Sequence, residues 1–124
     1  MHPCVSDQHG VADMLGVTHR TVVAWTKAGR IPGVQIGDRW RYWMPAVTAA
    51  MGGTAAHDLP EERQIVSVND LADYLGLTPH GVRIMVRDGK IPASKVGRLW
   101  MVPWGRVRDA IAAGRPLDQL VTQG

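Results

Sequence analysis

Cysteine occurs once in this sequence of 124 residues, and phenylalanine not at all. The single thiol, Cys4, can form no internal disulfide, so the fold is expected to rely on packing alone in a reducing compartment. Long apolar runs are missing too. None approaches the roughly 20 residues of a membrane span, and the opening MHPCVSDQHG lacks the apolar stretch of a secretory signal. The expectation is a cytoplasmic protein with no membrane contact. Five histidines show no metal-ligand spacing and have one cysteine to help them, so neither a metal site nor any other cofactor is expected. With no phosphate-binding glycine loop, nucleophile elbow or convincing acid–base pair, no catalytic residue is nominated and an enzyme is not expected. The cluster His57, Asp58, Glu61 and Glu62 reads as solvated linker.

What the sequence does contain is a repetition. Residues 29–43, GRIPGVQIGDRWRYW, return as GKIPASKVGRLWMVPW at 89–104. A constant offset of 60 pairs Ala12 with Ala72, Asp13 with Asp73, Leu15 with Leu75, Gly16 with Gly76, Thr18 with Thr78 and Val22 with Val82. It also pairs Gly29, Ile31, Pro32, Gly37, Trp40 and Val47 with Gly89, Ile91, Pro92, Gly97, Trp100 and Val107. A duplication explains this, and repeats decide architecture. The chain divides into a first unit at 1–51, a linker at 52–65, a second unit at 66–114 and a tail at 115–124. Net charge is only +3, but five bases face three acids over 1–53, one faces three over 54–65, and eight face five over 66–124. Two basic modules joined by an acidic connector suit a polyanionic partner.

Each copy reads as the same series of elements. In the second, Ser67 is a plausible N-cap with Asp70 three positions on, and Val66 and Leu71 are placed as a hydrophobic staple. The helix buries Leu71, Ala72 and Leu75 and stops at Gly76. Thr78 then caps a second helix that opens on Pro79. In the first copy Ser6 or Asp7, Leu15, Gly16 and Thr18 take these roles. The second helices place Val22 with Trp25, and Val82 with Met85, on a core face. Gly29 and Gly89 end them, and Pro32 and Pro92 prevent a restart. Alternation then predicts a hairpin turning at Gly37-Asp38 or Gly97-Arg98, and a short helix closes each copy at 45–51 and 103–113. On the returning strand of copy one, Trp40 and Tyr42 share one face and Arg39 and Arg41 the other. Trp25, Trp40 and Trp100 are expected in the core; Trp43 and Trp104 are less determined. In the tail, Leu117, Leu120 and Val121 at helical spacing suit docking on the body or on a partner.

The order Leu-Gly-Val-Thr, then Gly-Arg-Ile-Pro, then Ile-Gly-Asp-Arg-Trp-Arg-Tyr, resembles the winged helix-turn-helix of the excisionase and MerR-type DNA-binding superfamily. The resemblance covers 5–50 and 66–113, about three-quarters of the chain. It implies a mainly α fold with small β-hairpin wings, as two tandem winged helix-turn-helix units. It also implies a second helix in the major groove and a wing on the backbone or minor groove. Major-groove candidates are then His19, Arg20, Val23 and Lys27 in copy one and His80, Arg83 and Arg87 in copy two. Wing candidates are Arg39 and Arg41 in one, Lys95 and Arg98 in the other. Physical reasoning nominates the same side chains, because Arg bonds a guanine edge in two places while Lys mostly anchors phosphate. Arg30 and Lys90, just past the helix ends, suit phosphates. If about six phosphates are neutralised, affinity should fall with salt at a logarithmic slope of about −5.

Copy two departs from this pattern where Leu99 and Met101 replace Arg39 and Arg41, leaving an apolar strip on its wing. Three accounts compete: the strip packs on copy one, binds another protein, or wedges into the minor groove. A flexible linker of about 13 residues spans roughly 20 Å on average and at most about 45 Å, so adjacent half-sites about 34 Å apart are reachable. Two copies in sequence along one chain make a direct repeat the natural site, with double-stranded DNA as partner and a monomer acting as a pseudo-dimer. The room left for an effector domain is small. The resemblance therefore favours an excisionase of a phage or mobile element, partnered by a recombinase (integrase) or another phage or bacterial protein. The alternatives are a compact transcriptional regulator or repressor and the DNA-recognition subunit of a phage packaging complex.

Overall fold

Each half of the chain opens with a strand too short for any sequence period to reveal. The computed structural model describes residues 1–52 and 64–120. The first half runs β1 (Val5–Ser6), α1 (Gln8–Leu15), α2 (His19–Lys27), β2 (Val34–Ile36), β3 (Arg39–Trp43) and α3 (Met44–Ala50). The second repeats the order with β4 (Ile65–Ser67), α4 (Val68–Leu75), α5 (Pro79–Arg87), β5 (Ser94–Val96), β6 (Leu99–Pro103) and α6 (Trp104–Ala113), followed by a 3-10 turn at Leu117–Leu120. Six α-helices thus accompany two antiparallel three-stranded sheets, ordered β1-β3-β2 and β4-β6-β5, where two-stranded hairpins were expected. Most of the connector, with His57, Asp58, Glu61 and Glu62, lies outside the described residues, as does Val121. Among the described residues no helix is long and apolar enough to cross a membrane.

Capping chemistry sets the helix ends. The side chains of Asp7, Thr18, Ser67 and Thr78 accept hydrogen bonds from Gly10, Thr21, Asp70 and Gly81 amides at the starts of α1, α2, α4 and α5. Such caps stabilise a helix by about 1 kcal/mol each. The chain leaves α1 and α4 at Gly16 and Gly76, whose φ of 71° and 66° lie in the left-handed region that glycine enters without a side-chain penalty. The reversal between the paired helices is therefore tight, and it fixes where α2 and α5 point.

Each sheet turns one face to its own helices. Tyr42 on that face is fully buried with Val11, Val22, Ile31 and Val47, and its hydroxyl bonds Thr26 Oγ1 at 2.8 Å. Gly33 makes room for the ring, since a Cβ there would sit 2.4 Å from Tyr42 Cε2. Copy two exchanges both partners at once, with Ala93 and Val102 in the matching places. The smaller ring-free residue at one position goes with the added methyl at the other, as dense packing favours.

The other face of the first sheet is buried on the second half. Val5, Val34, Ile36 and Trp43 belong to one apolar cluster with Leu71, Leu75, Val82, Ile91, Val102 and Trp104. An aromatic group closes the joint: Trp104 meets Trp43 and Tyr74 edge-on at 6.3 and 5.0 Å, and His2 lies 5.3 Å from Trp43 and from Tyr74. The His2 amide also donates to the Tyr74 carbonyl at 2.9 Å. Trp43 and Trp104 are thus core. Trp25 and Trp40 pack at the edge of the first core, whereas Trp100, expected inside, is 36% exposed and lines an open groove with Val68, Asn69 and Arg83. The tail docks on the body, with Leu117 buried and Leu120 against the same cluster.

Candidate nucleic-acid interface

Helices α2 and α5 each turn one apolar stripe inward and one basic stripe outward. Val22, Val82 and Val86 are buried, so residues three and seven positions along the opposite stripe face solvent. On α2 these are His19, Arg20 and Lys27, all exposed, with Val23 half-buried among them. On α5 they are His80, Arg83 and Arg87, all exposed. His19 is held against α1, its ring 4.5 Å from that of His9. Arg83 is aimed by Asn69 at the start of α4, whose Oδ1 accepts from Nη2 at 3.1 Å. Arg87 pairs with its neighbour Asp88 at 3.5 Å, an exposed contact of little energetic weight.

The two hairpins expected as wings, β2–β3 and β5–β6, behave differently from each other. Tip residues Gly37, Asp38 and Arg39 of β2–β3 border a cleft whose far wall is Gly76, Thr78, Gly81 and Met85 of the second half. Wing one therefore lies beside α5, the second helix of the other copy. Arg39 is exposed there. Arg41, two residues on, was expected as a wing contact but is only 5% exposed, because it is turned inward against the second half. Its Nε donates to the Leu75 carbonyl, Nη2 to Gly76 at 3.4 Å, and Nη1 to Trp40 at 2.7 Å. The guanidinium thus caps the C-terminal end of α4, where the helix dipole favours a cation. Burial lowers the Arg41 pKa from its ordinary value, and the charge of Asp7 works against that shift.

Wing two stands free. Lys95, Arg98, Leu99 and Trp100 are exposed, and the Lys95 ammonium lies 5.8 Å from the Trp100 ring centre. Arg98, Leu99 and Trp100 share a groove with Arg83 and Asn69, so the tip of this wing and the second helix of its own copy address the same space. Leu99 does not pack on copy one, and Met101 is half-buried at the base of the strip. Arg30 is exposed at the end of α2, and Lys90 is exposed beside Gln35 and Met85. Helix α5 is thus flanked by Arg39 on one side and Arg98 on the other. Among the described residues no group of three His, Cys, Asp or Glu could hold a metal ion.

Residues 11–42 and 65–114, two-thirds of the chain, match the family model described as a helix-turn-helix domain. The chain belongs to that family. No curated protein and no solved structure matches it. A helix-turn-helix binds DNA through its second helix, which makes double-stranded DNA the partner of this helix-turn-helix protein. The second matched segment contains the α4–α5 pair, the first begins inside α1 and contains α2, and both extend into the strands that follow. Sequence reasoning did not find Asn69 as the support of Arg83, nor the inward turn of Arg41. The first had a signal in the amide-bearing residue at the start of α4. The second had none, because what covers Arg41 is 34 residues away in the chain.

Proposed function

We propose that this helix-turn-helix protein reads double-stranded DNA with both copies at once, over two half-sites in direct repeat, as an excisionase that sets the direction of recombination. One observation carries the reading: wing one is seated beside the reading helix of copy two, so that α2, wing one, α5 and wing two follow one another in a single order. A two-fold arrangement, suited to a palindrome, would seat both wings alike. Arg20 and Arg83 read bases in the major groove, together with His19, Val23, Lys27, His80 and Arg87. Arg30, Arg39, Lys90, Lys95 and Arg98 hold phosphates. The shared core, not the connector, fixes the distance between half-sites, and a rigid pair of readers can impose one path on the DNA. The protein acts in the cytoplasm, on the nucleoid, with a recombinase as its protein partner and no catalysis of its own.

Selection from random duplexes followed by footprinting tests this. Two enriched half-sites in one orientation are expected, with Arg20→Ala and Arg83→Ala each relaxing one half-site at a cost of about 1–3 kcal/mol. Inverted half-sites, or no enrichment with a salt slope near zero, would refute the reading. The role is tested separately: in a recombination assay with the element's integrase, loss of the protein should abolish excision and spare integration.

A further inference from the structure

The joint inside the chain is head-to-tail, and a repeated fold carries a second set of the same two surfaces. The donor surface is the outer face of sheet one. Directly opposed residues share a face, so the pairs Val5↔Trp43, Val34↔Arg41 and Ile36↔Arg39 put these six side chains on one side. The acceptor is the turn after α4, where Leu75 and Gly76 receive Arg41, Met1 Sδ lies 3.1 Å from the position of a Gly76 Cβ, and Met85 meets Gly37.

Both surfaces recur sixty residues away, and both carry exposed apolar side chains. The matching face of sheet two holds Ile65, Val96, Leu99 and Met101 by the pairs Ile65↔Pro103, Val96↔Leu99 and Ser94↔Met101. Ile36 is 4% exposed, whereas its counterpart Val96 is 63% exposed and Leu99 65%. The matching turn after α1 is open: nothing lies within 4 Å of a Cβ at Gly16, and Met14, the counterpart of the packed Tyr74, is 46% exposed. Nor does the free donor surface carry a charge that would oppose burial, since Leu99 and Met101 stand where copy one has arginines. An apolar face of this kind marks an interaction site.

We propose that sheet two of one chain docks on the α1–α2 turn of a second copy of the same chain, repeating between molecules the joint already made within one. Such a heterologous contact does not close on itself and adds chains in series. Self-association on this surface does not depend on the DNA reading. If that reading also holds, added chains continue the direct repeat.

Sedimentation of the full chain without DNA tests it. The weight-average mass should rise with concentration past twice the 13.5 kDa of one chain. Leu99→Glu, which spoils the donor, and Met14→Glu, which spoils the acceptor, should each sediment as monomers. Both sites are exposed, so circular dichroism should show both variants folded; Val96→Glu is a second donor variant. An equimolar mixture of Leu99→Glu and Met14→Glu should stop at twice the chain mass, because one intact donor meets one intact acceptor. A monomeric unmodified chain at every concentration would overturn the proposal. So would continued pairing of Met14→Glu, which would mean that two donor faces meet. Monomeric Leu99→Glu with weakened DNA binding, from an unmodified chain that is itself monomeric, would assign the face to DNA instead.

Discussion

Arg39 and Arg41 lie on the same face of the same strand, yet the structure gives them opposite fates, and replacing each by methionine separates those fates. Methionine is the natural residue opposite Arg41 in the repeat, so the change keeps length and loses the donors. Arg41 supplies hydrogen bonds to three carbonyls, two of them at the end of α4. A bond to a charged group contributes about 1.5–3 kcal/mol, and the cost of keeping a guanidinium out of water offsets part of the total. The 3.4 Å bond to Gly76 adds little. Arg41→Met is therefore expected to destabilise the protein by about 2–4 kcal/mol, because the Leu75 carbonyl loses its donor in an apolar joint. Arg39 is exposed with no protein partner described, and Arg39→Met should stay within about 0.5 kcal/mol.

On DNA the order reverses. Removing one phosphate contact should flatten the logarithmic salt slope by about 1, which is the expectation for Arg39→Met, while folded Arg41→Met should keep the full slope. Urea denaturation, read as a midpoint at constant m, gives the first quantity, and titration of labelled duplex over a series of salt concentrations gives the second. An unchanged midpoint for Arg41→Met together with a shallower slope would mean that Arg41 reaches the DNA. The joint between the halves would then be wrongly described.

Two further outcomes follow from the packing. Trp104 is fully buried at the joint and Trp100 is not, so Trp104→Ala should cost about 3–5 kcal/mol and unfold both halves in one transition. Trp100→Ala should cost well under half of that; equal losses, or two separate transitions in Trp104→Ala, would contradict the shared core. Burial raises the Tyr42 pKa above its ordinary 10.0, and the hydrogen bond it shares with Thr26 opposes the shift. The fold favours the neutral phenol, so this stability is complete below about pH 10 and lost as pH rises through the raised value. Tyr42→Phe should lose about 0.5–1.5 kcal/mol at neutral pH and show less alkaline destabilisation than the unmodified chain, measured as urea midpoints from about pH 8 to about pH 11.

Features carried by local chemistry were legible in the sequence. The caps at Thr18, Ser67 and Thr78, the left-handed exits at Gly16 and Gly76 and the strand alternation around Gly37 and Gly97 each depend on a few adjacent residues. β1 and β4 escaped because two or three residues cannot display a period. The tryptophans were misjudged for a different reason. Trp100 sits on the core-facing side of its strand, as the alternation says, but lines an open groove with Asn69 and Arg83 instead of joining the core cluster. Trp104 follows a proline at the head of a helix and shows no pattern of its own; Tyr74 of its own half and Trp43 and His2 of the other enclose it. In the candidate site the outward stripes of α2 and α5 were readable from helical spacing. The neighbour of each wing was not, because that depends on how two folded units meet.

The divergence of the copies follows the same line. A duplicated unit starts with two identical wings, and a head-to-tail joint gives them different surroundings: the first is enclosed, the second is left at the end. Arginine at position 41 is useful only where carbonyls await it, as Leu75 and Gly76 do. At position 101, where no helix end among the described residues receives the side chain, a donor would gain nothing from the fold, and Met101 shows that none is kept. Solvation alone, however, would favour a polar residue at an uncovered strand, and Val96 and Leu99 are among the most exposed large apolar side chains described. Loss of the arginines can be ascribed to the missing acceptor; apolar residues in their place need a surface that covers them.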